Sequence, residues 1–429
     1  MKSGHIALDQ NDLGLSTQEI ERCITASLSQ NSSLQGRIKR VLLIPPDATR
    51  AFSGAGAILR AYTNLFGPDC RLDILPALGT HVPMTEEELK KFYPIPNARF
   101  LVHNWRDDVV KIGEIPAGAV REISQGLLKE PLDVEINRCL LDPEYDLVIS
   151  VGQVVPHEVV GMANYTKNII VGCGGSSMIN ASHILGAFYG MERIMGKDHS
   201  PVRKLFDYVE THMLNKLPIC YALTVTTTLR CSTRIHGLFI GRDRSLFEQA
   251  VALSRQKNIT FVDEPLKKVV VYLAPEEFKS TWVGCKAIYR TRMAIADGGE
   301  LIILAPGIER FGEDKHIDKL IRKYGYCGRE NVIALCKQAP ELKGNLSAAA
   351  HLIHGSSDGR FKVTYCTERL TQTEIEGVGF SYLPFGEAKA RYASALNNAD
   401  GYVTLPGAER IYYIGNPAVG LWADRHRFG

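Results

Sequence analysis

Three short apolar runs, each ending in a loop of polar and ionisable groups, constrain this chain more than any other feature. They are RVLLIPPDATRAF (Arg40–Phe52), RLDILPALGTH (Arg71–His81) and YDLVISVGQVVPH (Tyr145–His157). Near-continuous Val, Ile and Leu suits a strand buried on both faces, as in a parallel sheet covered by helices. Helical patterns separate the runs. One spans about Gly54 to Asn64. Another is MTEEELKKFY, where Thr85 stands at the cap position ahead of three acids, as the helix dipole favours.

The alternation continues along the chain. Ser245–Lys257 reads as a helix and Lys268–Leu273 as a β-prone strand. GGELIILAP (Gly298–Pro306), NVIALC (Asn331–Cys336) and FKVTYC (Phe361–Cys366) read as further strands between helical segments. The pattern predicts two α/β domains with largely parallel sheets, dividing near Asp263–Leu266 into residues 1–265 and 266–429. In open sheets of this kind, ligands bind at the carboxyl ends of the strands.

Composition removes several function classes. Lys+Arg is 50 and Asp+Glu is 47, for a net charge of +3, and no basic block is interleaved with aromatics. Nucleic acid is therefore a poor partner. The first residues, MKSGHIALDQNDLG, carry no signal-peptide core, and no apolar run approaches the roughly 18 residues of a membrane helix. The expectation is a cytoplasmic protein without a membrane partner. Ten cysteines are scattered with no CxxC pair, which predicts buried thiols in a reducing compartment.

Familiar motifs fail. GCGGSS lacks the third glycine of a dinucleotide fingerprint, because position 177 is Ser177. GMERIMGK places five residues between its glycines, and Asp198 follows Lys197 where a P-loop needs Ser or Thr. His351 and His354 have helical ligand spacing in HLIH but no acidic partner nearby.

What survives is an ordered set: Asp47, Thr49 and Arg50 in PDATR, His81 in GTH, His157 in PH, Lys167, the glycines Gly172, Gly174 and Gly175, and His183. Each has a bland reading. Asp47 suits a turn or cap, Arg50 a surface cation, and a single loop histidine a packing role. Three histidines at strand ends with a lysine before a glycine turn point instead to one site.

In this order and spacing the chain resembles the nickel-pincer-nucleotide lactate racemase family of 2-hydroxyacid racemases and epimerases. Lys167 stands ten residues after His157 and sixteen before His183, and Lys286-Ala287 followed by Gly298-Gly299 adds a further match. The resemblance runs from about residue 40 to about 310 and more loosely to the end. It implies an N-terminal catalytic and cofactor-binding domain, a C-terminal domain closing the cleft, and a small-molecule 2-hydroxy acid as substrate. The implied cofactor is the nickel complex of pyridinium-3,5-bisthiocarboxylic acid mononucleotide, supplied by cofactor-biosynthesis proteins. By position, Lys167 would tether it and His183 would ligate nickel. Thr49, Gly172, Gly174 and Gly175 would lie along it, the glycines letting the backbone pass close to a flat ring system.

His81 and His157 would be the acid–base pair, because inversion through a planar 2-keto acid needs a proton acceptor for each hand of the carbinol. Arg50 and Lys286 would hold the substrate carboxylate, and Asp47 would orient a neighbour. The chain departs from lactate-type members in MANYTK, with Asn164 and Tyr165, where they carry a glycine-rich stretch, and at Val283, where they carry glutamine. These changes suggest a 2-hydroxy acid larger and more polar than lactate. Two other readings compete: a zinc hydrolase built on His81, His157 and His183 with Asp47, and a non-catalytic hydroxyacid-binding protein.

Overall fold

The structure is a computed structural model and describes residues 4–29, 38–96, 98–229 and 232–428. The chain forms two units. The first comprises Met1–Leu185 and Ile194–Asn258, the second Gly186–Arg193 and Ile259–Gly429.

The first unit is built on a seven-stranded sheet. Its order is His5–Leu8, Ser232–Gly241, Ile219–Leu229, Leu147–Gln153, Arg40–Ile44, Arg71–Ile74 and Arg99–Phe100. Every pairing from Ile219–Leu229 to Arg99–Phe100 is parallel, and only the edge formed by His5–Leu8 and Ser232–Gly241 is antiparallel. Arg40–Ile44 and Leu147–Gln153 lie centrally and are almost wholly buried, as their unbroken apolar runs require. Alternate side chains serve opposite faces. Val41, Leu43 and Ile149 join a core with Ile24, Ile58 and Leu59, from the helices Thr17–Ser29 and Ala55–Phe66. Leu42, Ile44 and Val148 join the other, with Ile169, Leu205 and Phe206.

The second unit has a six-stranded sheet in the order Ser381–Pro384, Lys362–Thr367, Ile295–Leu304, Leu266–Tyr272, Arg410–Ile414 and Gly401–Thr404. Only the last pair is antiparallel. The α/β class with largely parallel sheets is therefore the one the chain adopts.

Local expectations fared unevenly. Thr85 caps the helix Glu86–Phe92 in a full capping box with Glu88. NVIALC, expected as a strand, lies inside the helix Arg329–Gln338. Only Val332 of that helix is buried, so the run is one turn of a half-exposed helix and not a strand covered on both faces. The nine cysteines among the described residues are unpaired. Cys231 lies outside the described residues. No described helix is long and apolar enough to cross a membrane.

Candidate active site

Asp47 directly follows the two prolines that end the strand Arg40–Ile44 and caps a short 3-10 helix, Ala48–Ser53. Its Oδ1 accepts from the Thr49 amide at 3.1 Å and the Thr49 hydroxyl at 2.5 Å. Its Oδ2 accepts the Nδ1 proton of His81 at 2.5 Å. The carboxylate is buried, whereas the His81 side chain is 58% exposed. Burial pushes the Asp47 carboxyl up, but the bonds to His81 and Thr49 and the charge of Arg50 outweigh it and hold it below its usual range. With Nδ1–H held by a carboxylate, the neutral His81 ring presents Nε2 as an acceptor, as a general base must.

His157 is set differently. It sits in a two-residue strand, Pro156–His157, paired with Gly161–Met162. The ring is buried, and its Nδ1 accepts the Val159 amide at 3.1 Å. The neutral ring therefore carries its proton on Nε2. The Glu158 carboxylate stands 3.8 Å from the same Nδ1.

Lys167 lies on the helix Thr166–Ile170. Asn168 fastens that helix to the carboxyl side of the sheet, donating to Ile44 O at 3.2 Å and Ser150 Oγ at 2.9 Å. The Lys167 side chain is half-buried. Desolvation, reinforced by the charge of Arg50, lowers its pKa from 10.5 to about 8, against the opposite pull of Glu158 and Asp47.

His183 is half-buried on the helix Ser176–Tyr189. Its Nδ1 donates to Ile179 O at 2.6 Å, so Nε2 presents its lone pair. Burial lowers its pKa despite that bond. Lys167, Glu158 and His81 all bear on its charge. Asp47, Arg50, His81, Glu158, Lys167 and His183 thus lie within electrostatic reach as one cluster at the carboxyl edge of the sheet, and His157 adjoins it through Glu158.

The glycines have a structural reason of their own. Gly79 N–H donates to Gly172 O at 2.8 Å, which stitches the loop bearing His81 to the turn between Lys167 and His183. A β-carbon at Gly172 would meet Asn168 O at 2.4 Å and Ala77 Cβ at 2.7 Å. At Gly174 it would meet Ile170 O at 1.8 Å, and at Gly175 the Glu135 carboxylate at 2.2 Å. Close packing of protein on protein already demands glycine here. Thr49, expected along a cofactor, spends its hydroxyl on Asp47. Lys286 belongs to the second unit, half-buried at the start of the helix Lys286–Thr291, with Val283 in the preceding turn.

Residues 11–193 match the family model of the lactate racemase N-terminal domain. Over those residues the chain is similar to that domain. Lactate racemase of Lactiplantibacillus plantarum is 31% identical over 150 residues, 33% of this chain and 32% of that one. The match spans about a third of that relative's length. Two solved structures share the fold. A Thermotoga maritima protein has a TM-score of 0.79 at 24% identity, covering 95% of this chain and 98% of its own. The lactate racemase apoprotein of Thermoanaerobacterium thermosaccharolyticum has 0.68 at 18% identity, covering 94% and 92%.

The donors of this cluster suit a metal-bearing group held by an imidazole nitrogen and an amine. The cluster offers two imidazole nitrogens, His81 Nε2 and His183 Nε2, the first exposed beside Asp47, and one desolvated amine, Lys167 Nζ. The one cysteine between Lys167 and His183, Cys173, is fully buried in the core, and burial raises its thiol well above the ordinary range. A zinc site on His81, His157 and His183 finds no support. Among the described residues the converging metal-ligating groups are Asp9, Asp12 and His236, and Asp198, His199 and Glu248. His351, from the HLIH pair, is a core residue, bonded to Tyr326 Oη at 2.9 Å and stacked on Trp282.

Two residues of the cluster's surroundings escape a reading of the sequence. Glu158 is hidden beside a histidine that draws the attention. Arg203, described below, looks like any cation of a charged helix.

Proposed function

We propose that this chain is a racemase or epimerase that inverts the C2 carbinol of a 2-hydroxy acid, lactate-like or a larger polar or sugar acid. The observation that carries the reading is the gathering of Asp47–His81, Lys167 and His183 at one sheet edge of the domain that matches lactate racemase. Lys167 and His183 would hold a nickel-pincer nucleotide, delivered by its own biosynthesis proteins, with the amine as tether and Nε2 as the metal ligand. Bound there, that group supplies a hydride acceptor and donor, a role no side chain fills.

The chain's own residues then move protons and hold charge. Arg50 binds the substrate carboxylate. His81 takes the hydroxyl proton at Nε2 while Asp47 steadies the imidazolium that forms. His157 serves the other hand. To accept at Nε2, its ring must shift its proton to Nδ1, releasing the Val159 amide and turning that proton toward Glu158. A planar 2-keto acid left between the two histidines regains its proton from whichever side the new configuration requires.

The test is to load the protein with the cofactor and nickel and screen 2-hydroxy acids, aldonates included, for loss of optical purity at C2. The expected result is racemisation or epimerisation that depends on nickel, with an added mass at Lys167. Equal activity in rigorously cofactor-free protein would defeat the reading. So would bound hydroxy acid with no turnover after verified loading, the mark of a non-catalytic binding protein.

A further inference from the structure

Immediately before Lys167 the backbone does something unusual. Asn164 has φ 65° and Tyr165 φ 57°. Two consecutive non-glycine residues in the left-handed region are disfavoured, and for a bulky aromatic the conformation is an outlier. Such a conformation persists only where the surroundings over-determine it. Some of that determination is visible. The Asn164 side chain accepts the Tyr165 amide at 2.7 Å. The Tyr165 ring packs on Tyr221 and Phe247, and its hydroxyl donates to Arg242 O at 2.9 Å.

The remaining constraint is Arg203. It enters from the helix Pro201–His212, which Ser200 caps by accepting the Arg203 amide. Its side chain is completely buried. Nη2 donates to Met162 O at 2.7 Å and to Asn164 O at 3.2 Å, and Nη1 donates to Thr166 Oγ1 at 2.7 Å. The guanidinium carbon lies over the Phe247 ring, 4.5 Å from its centre. Nε has no hydrogen-bond partner among the described residues. Burying a whole guanidinium is costly unless its donors are used. Here the donors that are used all go to residues 162, 164 and 166, one on each alternate residue of the turn, and the last stands next to Lys167.

We infer that Arg203 is the positioning residue for Lys167: by bonding Met162 O, Asn164 O and Thr166 Oγ1 it holds a left-handed turn that fixes where the Lys167 amine stands. The clamp is read from contacts alone, and its purpose rests on the tether proposed above. It also accounts for two non-glycine residues, Asn164 and Tyr165, keeping positive φ. A pinned turn needs no glycine to stay left-handed, and the tyrosine adds a buried anchor.

The experiment uses the full chain with Arg203→Met, which keeps length and removes the donors, and Arg203→Lys, which keeps the charge. Amide hydrogen exchange is read in cofactor-free protein, and intact mass at Lys167 after production alongside the cofactor pathway. Arg203→Met should speed exchange over residues 163–168 by at least about tenfold while the strand Ile219–Leu229 stays within about twofold. The adduct at Lys167 should fall severalfold, with the lysine variant between parent and methionine variant. Exchange that rises uniformly through the first unit would overturn the inference and make Arg203 a core residue only. Unchanged exchange at 163–168, or equal adduct in parent and Arg203→Met, would overturn it too. Should the methionine variant not fold, the lysine variant decides by the same readings. A parent without adduct beside a variant with a loosened turn would sink the tether and uphold the clamp.

Discussion

At the scale of single residues, the protein separates two histidines that look alike in the sequence. Both follow apolar strands, and the resemblance implies that both move protons. Their partners differ: a buried carboxylate for His81 and a backbone amide for His157. The neighbourhood of Asp47 and His81 was legible because strand ends bring their loops to one edge, whereas Lys167 and His183 reach it from the helices Thr166–Ile170 and Ser176–Tyr189. Which ring nitrogen each histidine offers was not legible, since that depends on a single bond made in the folded state.

Lys167 yields a prediction of its own. Its folded pKa of about 8 lies below the ordinary 10.5. Between those values the unfolded chain holds a proton the folded chain does not, so this group's contribution to stability rises with pH across that window. Below pH 8 both states are protonated and the penalty for burying the charge is complete. Cofactor-free Lys167→Met should therefore melt at a higher temperature than the parent at pH 7, and the gap should close as pH approaches 10.5. Melting curves at several pH values check this. A variant less stable than the parent at neutral pH would mean the amine is well solvated or paired.

At the scale of elements, the glycine stretch that the resemblance sets along a flat ligand also packs closely on the protein itself. A methyl group at Gly174 would sit 1.8 Å from Ile170 O, a backbone atom that cannot swing aside. Overpacking against a fixed neighbour typically costs about 1–3 kcal/mol. Gly174→Ala should accordingly lower the urea midpoint by that order, even in protein that has never met its cofactor. An unchanged midpoint would show that the turn relaxes freely and return the glycines to a purely ligand-facing role. The NVIALC segment shows the limit of reading elements locally. Six residues rich in Val, Ile and Leu suit strand and helix alike. The cap position at Gly328 and the exposed face of Arg329–Gln338 decide for helix, and neither stands out in the run itself.

At the scale of the whole chain, the alternation of strands and helices predicted the α/β class because parallel sheets demand it. The eight residues Gly186–Arg193 could not be foreseen as part of the second unit. Side-chain bonds over long sequence distances tie them to it. Glu192 accepts from Arg292 Nε at 2.8 Å and from Arg360 Nη1 at 2.5 Å. Arg329 donates to Phe188 O at 2.7 Å. Arg292 is almost fully buried, so losing a carboxylate leaves part of its fork poorly answered. Glu192→Gln should destabilise the second unit by about 1–3 kcal/mol, the usual worth of hydrogen bonds to a charged group. Calorimetry with a probe confined to that unit, such as Trp422 fluorescence, measures it. No loss would mean that Asp358 and Asp297, the other acids on these arginines, suffice.

The unequal exposure of the two histidines reaches beyond structure into the bookkeeping of successive turnovers. Under the proposed chemistry each inversion leaves the pair with its protons swapped, so the protein that releases product is not the one that bound substrate. Before it can act again on the same hand it must exchange protons with water. The His81 side chain is 58% exposed and equilibrates with solvent directly. The His157 side chain is 8% exposed and does not. The free protein thus keeps a short memory of the last hand it processed, held in the buried ring and erased at the pace at which water reaches it.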